Sequence, residues 1–304
     1  MSIWPRILIT GAGGQVGLEL QRSFAGISEV IAYDRGTLDL AAPDQIRRKV
    51  RDAAPDIILN AGAYTGVDRA ESEKELAFAI NARAPGILAE EAIRASALLV
   101  HYSTDYVFDG SKAGPWVETD QTNPLNVYGA SKLAGEEAIR HVGGRYLIFR
   151  TSWVYGPEGK NFVLTMLRLG RERESLNVVD DQIGAPTSSI ELAAATCTIA
   201  SGILSGQFSA APQCSGIYNM TCAGTVSWCG FARAIFERAS QLLQGKSPKV
   251  NPIPSSEFPT PAKRPMNSTL SNEKLYRQFG VRLAPWESAL DVVLQRIPGP
   301  TPQI

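Results

Sequence analysis

The chain has 304 residues, enough for one large domain or two ordinary ones, and its 30 Lys and Arg balance its 30 Asp and Glu. A formal net charge of zero gives no reason to expect nucleic acid or an anionic membrane as partner, although a local basic pocket stays open. Cys197, Cys214, Cys222 and Cys229 form no C-x-x-C and no zinc spacing, so they read as reduced, partly buried thiols. The opening MSIWPRILIT has neither the apolar h-region of a signal peptide nor a membrane-length run, and a soluble cytoplasmic protein is expected.

The first short branched apolar run, Arg6 to Thr10, has the character of a buried strand. It leads into Gly11, Gly14 and Gly17, a G-x-x-G-x-x-G arrangement that departs from G-x-G-x-x-G. Glycines there permit a tight turn and let backbone approach a pyrophosphate at a helix N-terminus. A second run, Glu29 to Tyr33, ends at Asp34 and Arg35. An acid about twenty positions beyond the glycines suits a ribose 2′-hydroxyl, and an adjacent Arg accepts a 2′-phosphate, so mixed use of NADH and NADPH is expected.

The helical PDQIRRKVRDAA precedes a third strand, Asp56 to Asn60, followed by the small residues of AGAYTGVD, which let a dinucleotide lie close. A longer helix, with Asn81 before RAPGILAEEAIRAS, leads to a fourth strand at Ala97 to Tyr102. This strand–helix alternation predicts a parallel sheet with crossover helices. His101 inside that strand reads as a packed core residue. The strand ends in Ser103, Thr104, Asp105 and Tyr106, and the Ser103 and Thr104 hydroxyls suit either a chain turn or a hydrogen bond to a substrate carbonyl. In NVYGASK, Tyr128 and Lys132 are four apart on a predicted helix and share a face. The ammonium favours the ionised phenol, so the Tyr128 pKa is expected to fall, giving a usable proton donor or acceptor.

A strand at Arg145 to Thr151 delivers Ser152, Trp153 and Tyr155 to the same crevice. NFVLTMLRLG is helical from Asn161, LNVV (Leu176 to Val179) is a strand closed by Asp180, Asp181 and Gln182, and Gly184 to Thr187 turns into the helix SSIELAAATCTIA. Beyond Ser205 come a short strand at Gly216 to Met220 and the amphipathic helix SWCGFARAIFERASQLL. The run from Lys246 to Pro265 holds Pro248, Pro252, Pro254, Pro259, Pro261 and Pro265, which forbid a regular helix. Twenty residues of loop there would be functional or disordered. Helical SNEKLYRQFG and PWESALDVVLQRI precede a loose PGPTPQI tail.

T-G-x-x-G-x-x-G at Thr10 to Gly17, the STD at Ser103 to Asp105 and YGASK at Tyr128 to Lys132 resemble the extended short-chain dehydrogenase/reductases. The strings HYSTDYVFDG, PLNVYGASKLAGE, RTSWVYGPEGKNF and VVDDQIGAPT closely resemble the dTDP-4-dehydrorhamnose reductase family. The likeness runs almost end to end; Met1 to Arg6 and the insertion-like Ser205 to Ser215 have no counterpart. It implies an α/β fold: a Rossmann-type doubly wound parallel sheet with a smaller, mainly C-terminal α/β substrate-binding domain. Residues 1–150, with part of 175–205, would bind NAD(P), and 151–304 would mainly bind a sugar nucleotide.

The implied reaction is NAD(P)H-dependent reduction of the 4-keto group of dTDP-4-dehydro-β-L-rhamnose to dTDP-L-rhamnose. Tyr128 would deliver the proton, Lys132 would lower its pKa and bind the nicotinamide ribose, and Thr104 would orient the carbonyl. The implied cofactor site comprises Gly11, Ala12, Gly13, Gly14, Gln15, Val16, Gly17, Asp34, Arg35, Asp39, Leu40, Ala61, Gly62, Ala63, Tyr64 and Tyr102 with Tyr128 and Lys132. The implied substrate site comprises Thr65, Val67, Ser103, Thr104, Asp105, Trp153, Asn161, Gln182 and Arg264, the last in TPAKRP, where Lys263 and Arg264 would pair with a diphosphate. Related alternatives are a sugar-nucleotide epimerase or dehydratase, which retains NAD+, and a non-catalytic regulatory subunit of methionine adenosyltransferase, which retention of both Tyr128 and Lys132 disfavours. Some family members form Mg2+-bridged dimers held by glutamates, which leaves a homodimer open. Here Gln15 occupies the glycine loop, Glu191 and Glu287 have no ligand-spaced partners, and no metal site is assigned.

Overall fold

The computed structural model describes residues 4–208 and 214–299. Residues 209–213 of the insertion-like segment, 1–3 at the start and 300–304 of the tail lie outside the described residues. The first half alternates as expected: β1 (Arg6–Thr10), α1 (Gln15–Phe24), β2 (Glu29–Tyr33), α2 (Pro43–Ala53), β3 (Ile57–Asn60), α3 (Val67–Ala70), α4 (Lys74–Phe78), α5 (Ala84–Ala95), β4 (Leu98–Thr104), α6 (Val127–Val142) and β5 (Tyr146–Thr151). The second half is more finely broken. It runs β6 (Val154–Tyr155), α7 (Phe162–Glu172), β7 (Ser175–Val179), β8 (Ile183–Gly184), β9 (Thr187–Ser188), α8 (Ser189–Leu204), β10 (Gly216–Asn219), β11 (Val226–Ser227), α9 (Trp228–Arg238), β12 (Lys249–Ile253), α10 (Glu273–Phe279) and α11 (Trp286–Arg296).

Six parallel strands form the main sheet in the order β10-β5-β4-β3-β1-β2. The chain winds outward in both directions from β1, so the switch point lies between β1 and β3, where open α/β sheets place their ligands. Successive side chains alternate between two cores. Ile7, Ile9, Leu59, Val100 and Phe149 face α1 and α8, whereas Leu8, Ile58, Leu99 and Ile148 face α2, α5 and α6. Burial on both faces is why these strands read as continuous apolar runs.

Three small pairings, β6 with β9, β7 with β12 and β8 with β11, build the C-terminal part. The proline-rich run contains no regular helix, but it is not a loop throughout: β12 runs parallel to β7, with Pro252 in an edge strand where no ladder donor is required. The chain also returns to the main sheet late. α8 packs on α1, and β10 extends the sheet beside β5.

α6 is seated by its small residues. The Asn126 side chain accepts from Gly129 N at 2.8 Å, an N-cap that starts the helix. A Cβ on Gly129 would stand 2.2 Å from Tyr106 O, and one on Gly135 would stand 2.1 Å from Asn81 O. α4 and α5 are joined through a π-helical turn at 79–83. There Asn81 bonds Tyr64 N (2.8 Å), Tyr64 O (3.0 Å) and Ser131 Oγ (3.0 Å), tying the loop after β3 to the residue before Lys132. No helix among the described residues is long and apolar enough to cross a membrane.

Candidate active site

A cleft of about 910 Å3 opens at the carboxyl ends of the strands. From the expected residues it gathers Gly11, Gly13, Gly14, Gln15 and Val16 of the glycine loop, Asp34 and Arg35 after β2, Asp39 and Leu40, and Ala61 to Thr65 with Val67. Tyr102, Ser103, Thr104, Asp105, Tyr128, Lys132 and Trp153 complete the opposite wall. A dinucleotide fits the loop. Gly11 has φ +67°, and a Cβ there would lie 2.5 Å from Gly62 Cα, so two backbone turns meet at the switch point. Gly13 is open, its Cβ position reaching only Asp34 Cβ at 3.8 Å, which leaves room for phosphate against the start of α1.

Asp34 is partly committed to its own turn. Its Oδ1 accepts from Thr37 Oγ1 (2.8 Å), Thr37 N (3.0 Å) and Gly36 N (3.0 Å), and these bonds hold the carboxyl below its ordinary range. Arg35 forms no ion pair among the described residues and faces the cleft. These positions leave both a ribose acceptor and a cation at the cofactor's far end.

Tyr128 and Lys132 do share the inner face of α6, but the expected fall in the phenol's pKa is not found. Burial pushes Tyr128 up to about 12; the Thr104 hydroxyl opposes the rise and the Asp105 carboxylate adds to it. Its ring also meets Tyr106 edge-on, centroids 5.8 Å apart. The ammonium is aimed elsewhere, at Tyr102 O (2.6 Å) and His101 Nε2 (3.2 Å). Lys132 is itself pulled down to about 8 by burial, against the pull of Glu136. Desolvation of both groups outweighs the mutual stabilisation that a four-residue spacing suggests.

Thr104 Oγ1 donates to Asp105 Oδ1 at 3.0 Å and accepts from Tyr106 N at 3.2 Å. Asp105 is buried and pushed up to about 6 by desolvation, with the Ser268 and Thr104 hydroxyls opposing. Its Oδ2 has no hydrogen-bond partner, nor does Thr151 Oγ1, which also faces the cleft. Ser103 is less free: its hydroxyl donates to Glu136 Oε1 at 2.5 Å, inside a buried pair in which Arg150 bonds Glu136 at 2.6 and 2.9 Å.

Trp153 has φ +48°, a left-handed backbone that a bulky side chain adopts only when its surroundings impose it. Its indole stacks on Trp228 at 3.5 Å between centroids with planes 9° apart, and Gly184 leaves the space that the ring occupies.

Five expected residues do not line the cleft. Ala12 is buried, and Gly17 serves packing, since its Cβ would stand 2.2 Å from Gly11 O. Asn161 caps α7 by accepting from Leu164 N (3.0 Å) and donates to Gln15 Oε1 (2.8 Å), which fastens the glycine loop. Gln182 donates to Ser255 Oγ at 2.9 Å. Arg264 pairs with Asp68 at 2.9 Å. Sequence reasoning missed Arg69, Ile80, Tyr106, Thr151, Lys160 and Trp228, all on the cleft wall. Lys160 stands in GPEGKNF, already recognised as a family string, and that was the available signal; nothing local marks Trp228. Glu191 accepts from Ala284 N at 2.9 Å, and no cluster of three or more metal-ligating side chains occurs among the described residues.

A glycine loop at the switch point of a parallel sheet, faced by a tyrosine and a lysine one helical turn apart, defines a dinucleotide-dependent enzyme of the extended short-chain dehydrogenase/reductase class. More narrowly, the chain belongs to the RmlD substrate binding domain family, whose model matches residues 5–298. It is 47% identical over 294 residues to the dTDP-4-dehydrorhamnose reductase of Burkholderia thailandensis, spanning 95% of this chain and 98% of that one. The dTDP-4-dehydrorhamnose reductase of Escherichia coli K12 is 43% identical over 296 residues, spanning 96% and 97%. The crystal structure of dTDP-4-dehydrorhamnose reductase from Bacillus anthracis in complex with NADP has a TM-score of 0.89 at 35% identity, covering 96% of this chain and 99% of that one. A Thermus thermophilus UDP-glucose 4-epimerase, at 20% identity and a TM-score of 0.76, shares the fold alone.

Proposed function

We infer that the chain reduces the 4-keto group of dTDP-4-dehydro-β-L-rhamnose to dTDP-L-rhamnose, using NADPH or NADH as hydride donor. The observation that carries this reading is the Tyr128 phenol beside Thr104 in a cleft floored by the glycine loop. The cofactor, held by Gly11 to Val16 with Asp34 and Arg35 at its adenosine end, would supply the hydride. Tyr128, with its pKa raised, keeps its proton through neutral pH, which is the form needed to protonate an oxygen gaining negative charge. Thr104 sits where it can donate to the same oxygen, and Asp105 Oδ2 and Thr151 Oγ1 offer partners to sugar hydroxyls. Lys132, on the same face of α6, holds the nicotinamide ribose. Fixing donor and acceptor in one cleft supplies several kcal/mol through orientation alone.

Four unpaired cysteines suit a reducing compartment, and we place the reaction in the cytoplasm. A homodimer is the proposed assembly, tested by gel filtration with and without EDTA. Turnover is tested by following NADPH absorbance with the keto sugar nucleotide. Stoichiometric loss is expected; an epimerase would convert the sugar with none. Tyr128→Phe should lower kcat by roughly 10²–10⁴-fold while NADPH affinity stays within about twofold. Wild-type turnover in that variant would refute the assignment.

A further inference from the structure

Thr10, Asn60 and His101 are register partners across β1, β3 and β4, on the last rung before the cleft. All three point to the sheet face that α6 covers, and all three are buried. Their hydrogen bonds run in one direction. Gly62 N donates to Thr10 Oγ1 (3.3 Å), Thr10 Oγ1 donates to Asn60 Oδ1 (2.6 Å), and Asn60 Nδ2 faces His101 Nδ1 (2.9 Å). His101 Nε2 then faces Lys132 Nζ at 3.2 Å, and Nζ donates to Tyr102 O at 2.6 Å. We propose that Thr10, Asn60 and His101 are positioning residues for Lys132, a one-way chain that ties the charge of that lysine to the tautomer of the His101 imidazole.

The donor count forces the coupling. A neutral imidazole has one N–H and one lone pair. If Asn60 spends the Nδ1 lone pair, the proton sits on Nε2 and points at Lys132, which can accept it only as an amine. An ammonium needs the Nε2 lone pair instead. The imidazole proton must then sit on Nδ1, with the Asn60 amide turned end for end. The two states differ by one proton: on leaving the ammonium state, the lysine hands a proton to Nε2 as Nδ1 releases its own.

Neighbouring charges do not override this count. On α6, the Glu136 carboxylate is taken by Arg150 of β5 and Ser103 of β4. Tyr128, also on α6, stays protonated. His101 is held well below its ordinary value by burial and by Lys132, so it does not become a second cation. Lys132 is drawn down to about 8, so the exchange falls in mildly alkaline solution. The proposal rests on reading Lys132 as the partner of Tyr128, but its test needs no substrate.

With two histidines in the chain, 15N-histidine labelling gives two ring systems, and His141→Gln assigns them. In the wild-type protein, two-bond 1H–15N spectra from about pH 6 to about pH 10 should show His101 pass from the Nδ1–H to the Nε2–H tautomer, never becoming imidazolium. Thr10→Val removes the donor that fixes the amide, so the midpoint should rise by about one pH unit, the upper size of one neutral hydrogen bond. Lys132→Met should leave a single tautomer throughout. One tautomer across the whole range in the wild type, or an exchange that persists in Lys132→Met, would overturn the proposal. Both readouts come from the protein alone, so a failed keto-sugar assay would leave them standing, and normal turnover would not rescue them.

Discussion

Asp105→Asn replaces a buried ionisable group with a neutral one of the same shape. Asp105 is 3% exposed, and desolvation moves its carboxyl from 3.8 to about 6. A folded-state pKa above the unfolded one means that the native protein holds the proton more tightly. The associated stability is therefore fully present below the unfolded value and is lost as pH rises through about 6. A shift of this size corresponds to about 3 kcal/mol of native stability lost by neutral pH. The amide keeps an oxygen for Thr104 and puts a donor at the position of Oδ2. The variant should thus be close to wild type in stability at about pH 4 and exceed it by ~3 kcal/mol at about pH 8, roughly a 5 °C rise in Tm. Denaturant unfolding of both proteins across that range reads the difference directly. A gap that stays constant with pH would refute the assignment of the raised pKa to Asp105. Because the same carboxylate faces the cleft, the keto sugar's KM should rise in the stabilised variant.

Glu136→Gln leaves Arg150 buried without its carboxylate and should lower stability by about 3–5 kcal/mol, read by chemical denaturation. Recovery of most of that loss in Glu136→Leu with Arg150→Met would show that the penalty is the stranded charge. Gly184→Ala puts a methyl 2.5 Å from the Trp153 indole, so the ring must leave its stack on Trp228. The expected result is a changed tryptophan emission and a kcat/KM for the sugar nucleotide about tenfold lower, with NADPH affinity unaltered. Unchanged emission and KM would show that the stack does not form the substrate wall.

Much of the dinucleotide half was legible because its signals are local. Gly11 and Gly17 are dictated by backbone contacts within a few residues or across one rung, and the four-residue interval alone puts Tyr128 and Lys132 on one helical face. Distant partners were not legible. Trp228 reaches the cleft by stacking on a residue far back in the chain, and β10 rejoins the main sheet after a long excursion. Asn161, Gln182 and Arg264 have the chemistry of ligands for a sugar nucleotide. A helix cap, Ser255 and Asp68 engage them first, and no spacing rule reveals such competition.

Charge was the subtler failure. Spacing identified the cation near the phenol, but the sign of the pKa shift depends on how much water the surrounding sheet and helices remove, a property of the whole fold. His101 is core, as its place inside a strand suggested, but the sequence does not show that it stands between Asn60 and Lys132. Position along α6 determines which groups can meet. Desolvation from both sheet faces then determines the protonation state in which they meet, and a reductase needs the protonated phenol that this burial preserves.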